Sequence, residues 1–125
     1  FPYTTLFRSD LKMDVVSHKV WRSGNLIELS KTEFNLLRYL LLNKEQIVTR
    51  RQIGSEVWNI NFDTDTNFID VAVRRLRSKI DEGYELKLIH TIRGLGYKIS
   101  VSLWTLNFYV LLKSVLHYWS RFVLP

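Results

Sequence analysis

Twice in this chain a hydroxyl residue is followed, three positions later, by a side chain able to reach back to it: Ser30-Lys31-Thr32-Glu33 and Thr49-Arg50-Arg51-Gln52. In such a box the leading hydroxyl accepts from the amide of the fourth residue. That residue's own side chain accepts from the amide of the first, so two orphan donors of a helix start are satisfied reciprocally. Apolar partners bracket each box, Leu29 with Phe34 and Val48 with Ile53, as a hydrophobic staple requires. Two helix starts this close confine the chain to a short helix, a turn and a second helix. The first is expected to run to about Asn43 with Phe34, Leu37, Leu40 and Leu41 on one face, and the second from Arg50 to Trp58.

The flanking signals complete an order. Leu11–Val16, Lys19–Arg22 and Leu26–Leu29 read as short strands, with hairpin-turn chemistry at Ser23-Gly24-Asn25. Asn59–Thr64 is a polar loop, after which Asp65 or Thr66 caps a third helix reaching about Ile80. Asp81-Glu82-Gly83 stops it, and Leu88–Ile92 and Tyr97–Ser100 form strands around Arg93-Gly94-Leu95-Gly96. Strands, three helices and a hairpin are the order of a winged helix-turn-helix. The expected fold is α+β, with an N-terminal antiparallel sheet and a C-terminal β-hairpin wing.

Turned at about 100° per residue, the third helix separates cleanly into two faces. Ile69, Ala72, Val73, Leu76 and Ile80 share one side, with Phe68 at its edge, while Asn67, Val71, Arg74 and Ser78 oppose them. Asp70 and Arg77 flank the polar side on one edge and Arg75 on the other. Between Val71 and Ile80 there are four cations and no anion. A helix of this kind fits the major groove, where an Arg fork grips guanine and neighbouring arginines hold phosphates; Val71 suits a thymine methyl. A solvated cationic face would share this pattern. Thr91 and Arg93, beside the hairpin's glycines, form a cationic loop suited to the narrow minor groove, although a plain surface turn would look alike.

The whole chain agrees with an anionic partner. Its 125 residues suffice for one domain, and 18 Lys+Arg against 12 Asp+Glu give a net charge of +6, which favours nucleic acid or an anionic membrane surface. Cysteine is absent, which excludes a disulfide scaffold, a Cys-bound zinc and a thiol nucleophile and fits a cytoplasmic setting. No signal-peptide core is visible, and the longest uncharged run, Ile99–Leu112, is shorter than the roughly 20 residues of a bilayer span. Neither HExxH, P-loop nor GxSxG occurs, and His18, His90 and His117 share no ligand spacing. Asp63-Thr64-Asp65-Thr66-Asn67 begins like a calcium loop, but Phe68 stands where Gly is needed and Arg74 where Glu is needed. No catalytic residue, metal ligand or cofactor is expected.

At this point the residues resemble a known family, the C-terminal effector domain of OmpR/PhoB-type response regulators. The motifs that carry the resemblance are Leu29-Ser30-Lys31-Thr32-Glu33-Phe34, Val48-Thr49-Arg50-Arg51-Gln52-Ile53 with Val57-Trp58, Ile69 through Ile80, and Ile92-Arg93-Gly94-Leu95-Gly96-Tyr97. Trp58 through Ile80 is most similar to regulators of copper and silver resistance. The resemblance implies that Arg75 reads a base edge, with Val71 against a base. It also implies phosphate contacts from Arg50, Trp58, Asn67, Arg74, Arg77 and Tyr97, and a minor-groove approach by Thr91 and Arg93. Partners implied are double-stranded DNA carrying a direct repeat, a head-to-tail second copy on that DNA, and RNA polymerase through loop 59–64. A sensor histidine kinase would act only through a receiver domain, which these residues do not include.

Three zones are expected. Residues 1–9 (FPYTTLFRS) resemble the translation of a common sequencing-adapter oligonucleotide and are expected to be an artefactual leader outside the fold. Residues 10–100 are the DNA-binding domain. Residues 101–125 form an apolar tail with no family counterpart, expected to come from a frameshift or read-through. In that tail Trp104, Phe108, Leu111, Val115, Tyr118 and Phe122 recur at helical spacing beside Lys113, His117 and Arg121. The alternative function is therefore a nonspecific basic domain whose tail associates with a membrane surface.

Overall fold

Alternation along the N-terminal segments builds a sheet with one face inward. A computed structural model describes residues 4–60, 67–101 and 113–119. Within it, β1 (Thr5–Arg8), β2 (Leu11–Asp14), β3 (Lys19–Arg22) and β4 (Asn25–Ile27) pair in sequence order, all antiparallel. Leu11, Met13 and Val20 are buried on the inner face, while Phe7, Lys12, Trp21 and Leu26 line up across the outer one. Arg22 pairs directly with Asn25, so the turn is the two residues Ser23 and Gly24, with φ of 51° and 80°. Two positive φ values suit the tight hairpin turn whose twist matches the strands, which is why β4 begins at Asn25 rather than Leu26.

Thr5–Arg8, expected to stand outside the fold, instead supply the edge strand. Leu6 pairs with Met13, Arg8 pairs with Leu11, and the Arg8 guanidinium meets Glu45. A strand edge offers backbone donors and acceptors to any segment able to lie extended, whatever the origin of its side chains. The apolar Leu6 packs against the core.

Both capping boxes close. In α1 (Lys31–Leu42), the Glu33 amide donates to Ser30 Oγ at 3.2 Å and the Ser30 amide to Glu33 Oε1 at 3.0 Å. In α2 (Arg50–Trp58), the corresponding distances are 3.1 Å for Gln52 to Thr49 and 2.9 Å for Thr49 to Gln52. Asn59 then leaves the helix in the left-handed region, at φ 55°. The third helix, α3 (Asn67–Ile80), buries Ile69, Val73, Leu76 and Ile80 against the core. Its expected cap at Asp65 or Thr66 lies outside the described residues, as does most of loop 59–64.

The wing consists of β5 (Ile89–Ile92) and β6 (Gly96–Ile99), antiparallel. It is joined to the start of α2 by two backbone hydrogen bonds between Val48 and Tyr97, at 2.8 and 2.9 Å. Gly96 makes that approach possible: a Cβ there would lie 2.0 Å from the Val48 carbonyl oxygen, and its φ is 155°.

One buried cation ties the sheet to this assembly. Arg22 is wholly buried, donating to Asp10 at 2.7 Å, to the Ile80 carbonyl at 2.8 Å and to Asp81 at 2.9 Å, with a further bond to the Leu86 carbonyl. Asp81 in turn accepts from the amides of Leu88 and Ile89, at 3.1 and 2.9 Å. The end of α3, the sheet and the first wing strand therefore meet at a single ion pair.

Residues 113–119 are helical with exposed side chains, including Val115, Leu116, Tyr118 and Trp119. Of the expected tail stripe, Trp104, Phe108, Leu111 and Phe122 lie outside the described residues, as does Arg121. No helix among the described residues is long and apolar enough to cross a membrane.

Candidate nucleic-acid interface

Helix α3 is the centre of the site because its buried face leaves the cations outside. Arg74 and Arg75 are exposed, Val71 is half-buried, and Asn67 is exposed in the first turn. Val71 and Arg75 share a groove of about 450 Å³ with Trp58, Phe68, Ala72 and the start of α1. Trp58 is held edge-on against Phe68, with ring centroids 5.3 Å apart, so the end of α2 and the first turn of α3 form one surface. Edge-to-face contact is a preferred aromatic geometry and fixes the indole's direction.

Two ionic ties anchor α3 to the helices beneath it. Lys79 donates to Glu33 at 2.8 Å, and Arg50 Nε donates to Asp70 at 2.8 Å. Tyr97, on the wing, also donates its hydroxyl to Asp70, and the Arg50 guanidinium lies over the Tyr97 ring at 5.4 Å. Burial by itself would push the carboxyls of Glu33 and Asp70 up, but hydrogen bonds from Lys79 and Ser30, and from Tyr97 and Arg50, outweigh it. Both end below their ordinary values. Burial and the hydrogen bond to Asp70 raise Tyr97, and the same carboxylate raises Arg50.

The two residues expected together at the wing tip are separated in place. Arg93 is exposed in the turn. Thr91 lies within β5, opposite Tyr97, and its hydroxyl accepts from Arg77 Nη2 at 2.8 Å. Arg77 is thereby tied to the wing, whereas Arg74 and Arg75 are exposed on α3. Asp70, Lys79 and Glu33 belong to the site's framework although the sequence reading assigns none of them a role at the interface. For Asp70 the available signal was an acid on the margin of an otherwise cationic helix face.

A helix-turn-helix whose second helix exposes arginines, braced by a hairpin wing, defines a winged-helix DNA-binding domain. The chain belongs to the family described as "Transcriptional regulatory protein, C terminal", which matches residues 24–99. It is an effector domain of the OmpR/PhoB response-regulator type. It is 53% identical over 93 residues to the transcriptional regulatory protein CusR of Escherichia coli, spanning 74% of this chain and 41% of that protein. With the transcriptional activator protein IrlR of Burkholderia pseudomallei it shares 48% over 98 residues, 78% of this chain and 43% of that one. The chain thus spans about two fifths of the length of these curated relatives. Among solved structures, the Klebsiella pneumoniae RstA DNA-binding domain, in complex with the RstA box, is 30% identical with a TM-score of 0.70. That match covers 77% of this chain and 96% of that domain.

Proposed function

We propose that this chain recognises a specific sequence in double-stranded DNA, with α3 in the major groove. Arg75 and Val71 read base edges. Arg50, Trp58, Asn67, Arg74 and Arg77 hold phosphates, with Tyr97 directly behind Arg50. Arg93 approaches the minor groove from the wing, and Thr91 steadies Arg77. The observation that carries this reading is the outward face of α3, where Arg74 and Arg75 are exposed beside Val71 and next to a cationic wing turn. Affinity then comes mainly from phosphates and specificity from a few base contacts. The solution of a structural relative on its own DNA box supports the same mode.

The finer partners follow from the family resemblance. Two copies bind head-to-tail on a direct repeat, loop 59–64 meets RNA polymerase, and a receiver domain elsewhere in the parent regulator takes phosphate from a sensor kinase. The parent acts in the bacterial cytoplasm, without catalysis by this domain, and the resemblance of Trp58 through Ile80 to regulators of copper and silver resistance points to copper or silver as the signal. Residues 10–100 are the natural domain, residues 1–9 a foreign leader that happens to fill the sheet edge, and residues 101–125 an added tail.

The test is selection of bound duplexes from a random pool at about 0.15 M salt, where nonspecific binding is weakened. The full 125-residue chain is used, because Thr5–Arg8 complete the sheet. The expected result is a motif repeated at about one helical turn. Bound DNA without any enriched motif would overturn sequence recognition and leave a nonspecific basic domain. The exposed apolar helix at 113–119 would then be tested on anionic vesicles.

A further inference from the structure

We infer that Asp70 is a positioning residue for phosphate binding, acting through Arg50. This rests on the DNA-binding reading above and deepens it. Asp70 is the one carboxylate on α3 near the outward face, and it is engaged from two other elements: Arg50 Nε from the first turn of α2, and the Tyr97 hydroxyl from the wing. A carboxylate only accepts, so Tyr97 gives its single hydroxyl hydrogen to Asp70 and has none for a phosphate oxygen. Tyr97 is only 4% exposed, which fits a support rather than a ligand contact.

Arg50 is placed differently. Its bond to Asp70 uses Nε, which restrains the guanidinium, and its central carbon sits over the ring of Tyr97. The side chain stays 35% exposed, so a phosphate can reach it. The three groups join α2, α3 and β6, and they hold a cation at the base of the helix-turn-helix before DNA arrives. Preorganisation of this kind lowers the entropy lost when a flexible arginine is immobilised.

The inference reverses the sign expected from charge alone. Removing an anion from a DNA-facing surface should tighten binding by plain electrostatics. If Asp70 works by holding Arg50, Asp70→Asn weakens it instead, by about three- to tenfold, a range typical of coupled neighbours. Asp70→Glu keeps the charge but moves the carboxylate by one methylene, and weakens binding in the same direction.

The experiment measures the affinity of the 125-residue chain for a mixed-sequence DNA duplex across a salt series, with each variant first shown to be folded by circular dichroism. Arg50→Ala should flatten the salt dependence by about one contact, and Asp70→Asn should move it the same way. In the Arg50→Ala background, Asp70→Asn should then weaken binding no further. Tighter binding by Asp70→Asn overturns the inference, as does an equal loss in both backgrounds. Unchanged binding by Asp70→Glu also overturns it, and keeps the test decisive if Asp70→Asn does not fold. A parent chain that binds no duplex at any salt overturns the DNA-binding reading itself, and the inference with it.

Discussion

Replacing Arg22 by methionine removes a wholly buried charge. Methionine keeps much of the arginine stem's volume, so the change removes hydrogen bonds and charge rather than opening a large cavity. The Asp81 side chain is only 2% exposed and would lose its cation, although the Leu88 and Ile89 amides still donate to it. The carbonyls of Ile80 and Leu86 would each lose a donor. Breaking a buried ion pair from one side costs about 3–5 kcal/mol, most of it the penalty of an unpaired buried charge. Against a total stability of about 5–15 kcal/mol for a small domain, that is a large fraction. Urea unfolding followed by circular dichroism measures it, with an unchanged slope confirming that the same surface is exposed. Asp81→Asn tests the account from the other side: the double variant Arg22→Met/Asp81→Asn should be more stable than the sum of the single losses implies, by at least about 1 kcal/mol. A loss below about 1 kcal/mol for Arg22→Met, or strictly additive losses, would refute the role assigned to the pair.

Other perturbations read different parts of the molecule. Gly96→Ala places a methyl against the backbone at Val48, where no side chain can move aside; it should destabilise by about 3 kcal/mol, from strain and the lost Val48–Tyr97 hydrogen bonds, and a near-neutral melting temperature would argue against the close approach. Arg75→Ala should cost about 1–3 kcal/mol on a selected site and relax one base position, whereas Arg77→Ala should weaken all sequences alike; exchanged behaviour in competition binding would exchange their roles. The carboxyls of Glu33 and Asp70 are held below their ordinary values of 4.5 and 3.8, so the stability they contribute is complete above those values and is lost as pH falls further. Tyr97 is raised above its ordinary 10.0, so its contribution is complete below that value and is lost as pH rises through the folded-state value. Unfolding midpoints in Glu33→Gln should show a shallower acid limb, and an unchanged limb would remove Glu33 from the account.

What could be foreseen divides along the range of the interactions. The starts of α1 and α2 are settled within four residues by hydroxyls, amides and staple pairs, and they appear where the capping boxes place them. The buried face of α3 follows from a three-to-four periodicity, and the β3–β4 turn from Ser23-Gly24-Asn25, of which Asn25 joins the strand. Interactions spanning the chain are a different matter. The Arg22–Asp81 pair joins residues 59 positions apart. No local pattern marks Arg22 as buried, since an arginine at the end of a short strand is ordinarily exposed. Thr5–Arg8 were missed for the opposite reason: an edge strand needs little from its own sequence beyond freedom to extend.

The same distinction governs the interface. The cations of α3 are visible in the sequence because they share a helical face, and family resemblance assigns them roles. Neither source says which donors remain for a ligand. Tyr97 and Thr91 carry hydroxyls suited to phosphate or groove contacts, yet one donates to Asp70 and the other accepts from Arg77. In both cases the wing side chain meets a residue of α3, so the wing braces that helix. On the proposed DNA-binding mode, weakening either tie should therefore weaken DNA binding through the arginine it touches. Arg93, exposed at the turn, is the wing residue whose loss we expect to alter groove binding directly.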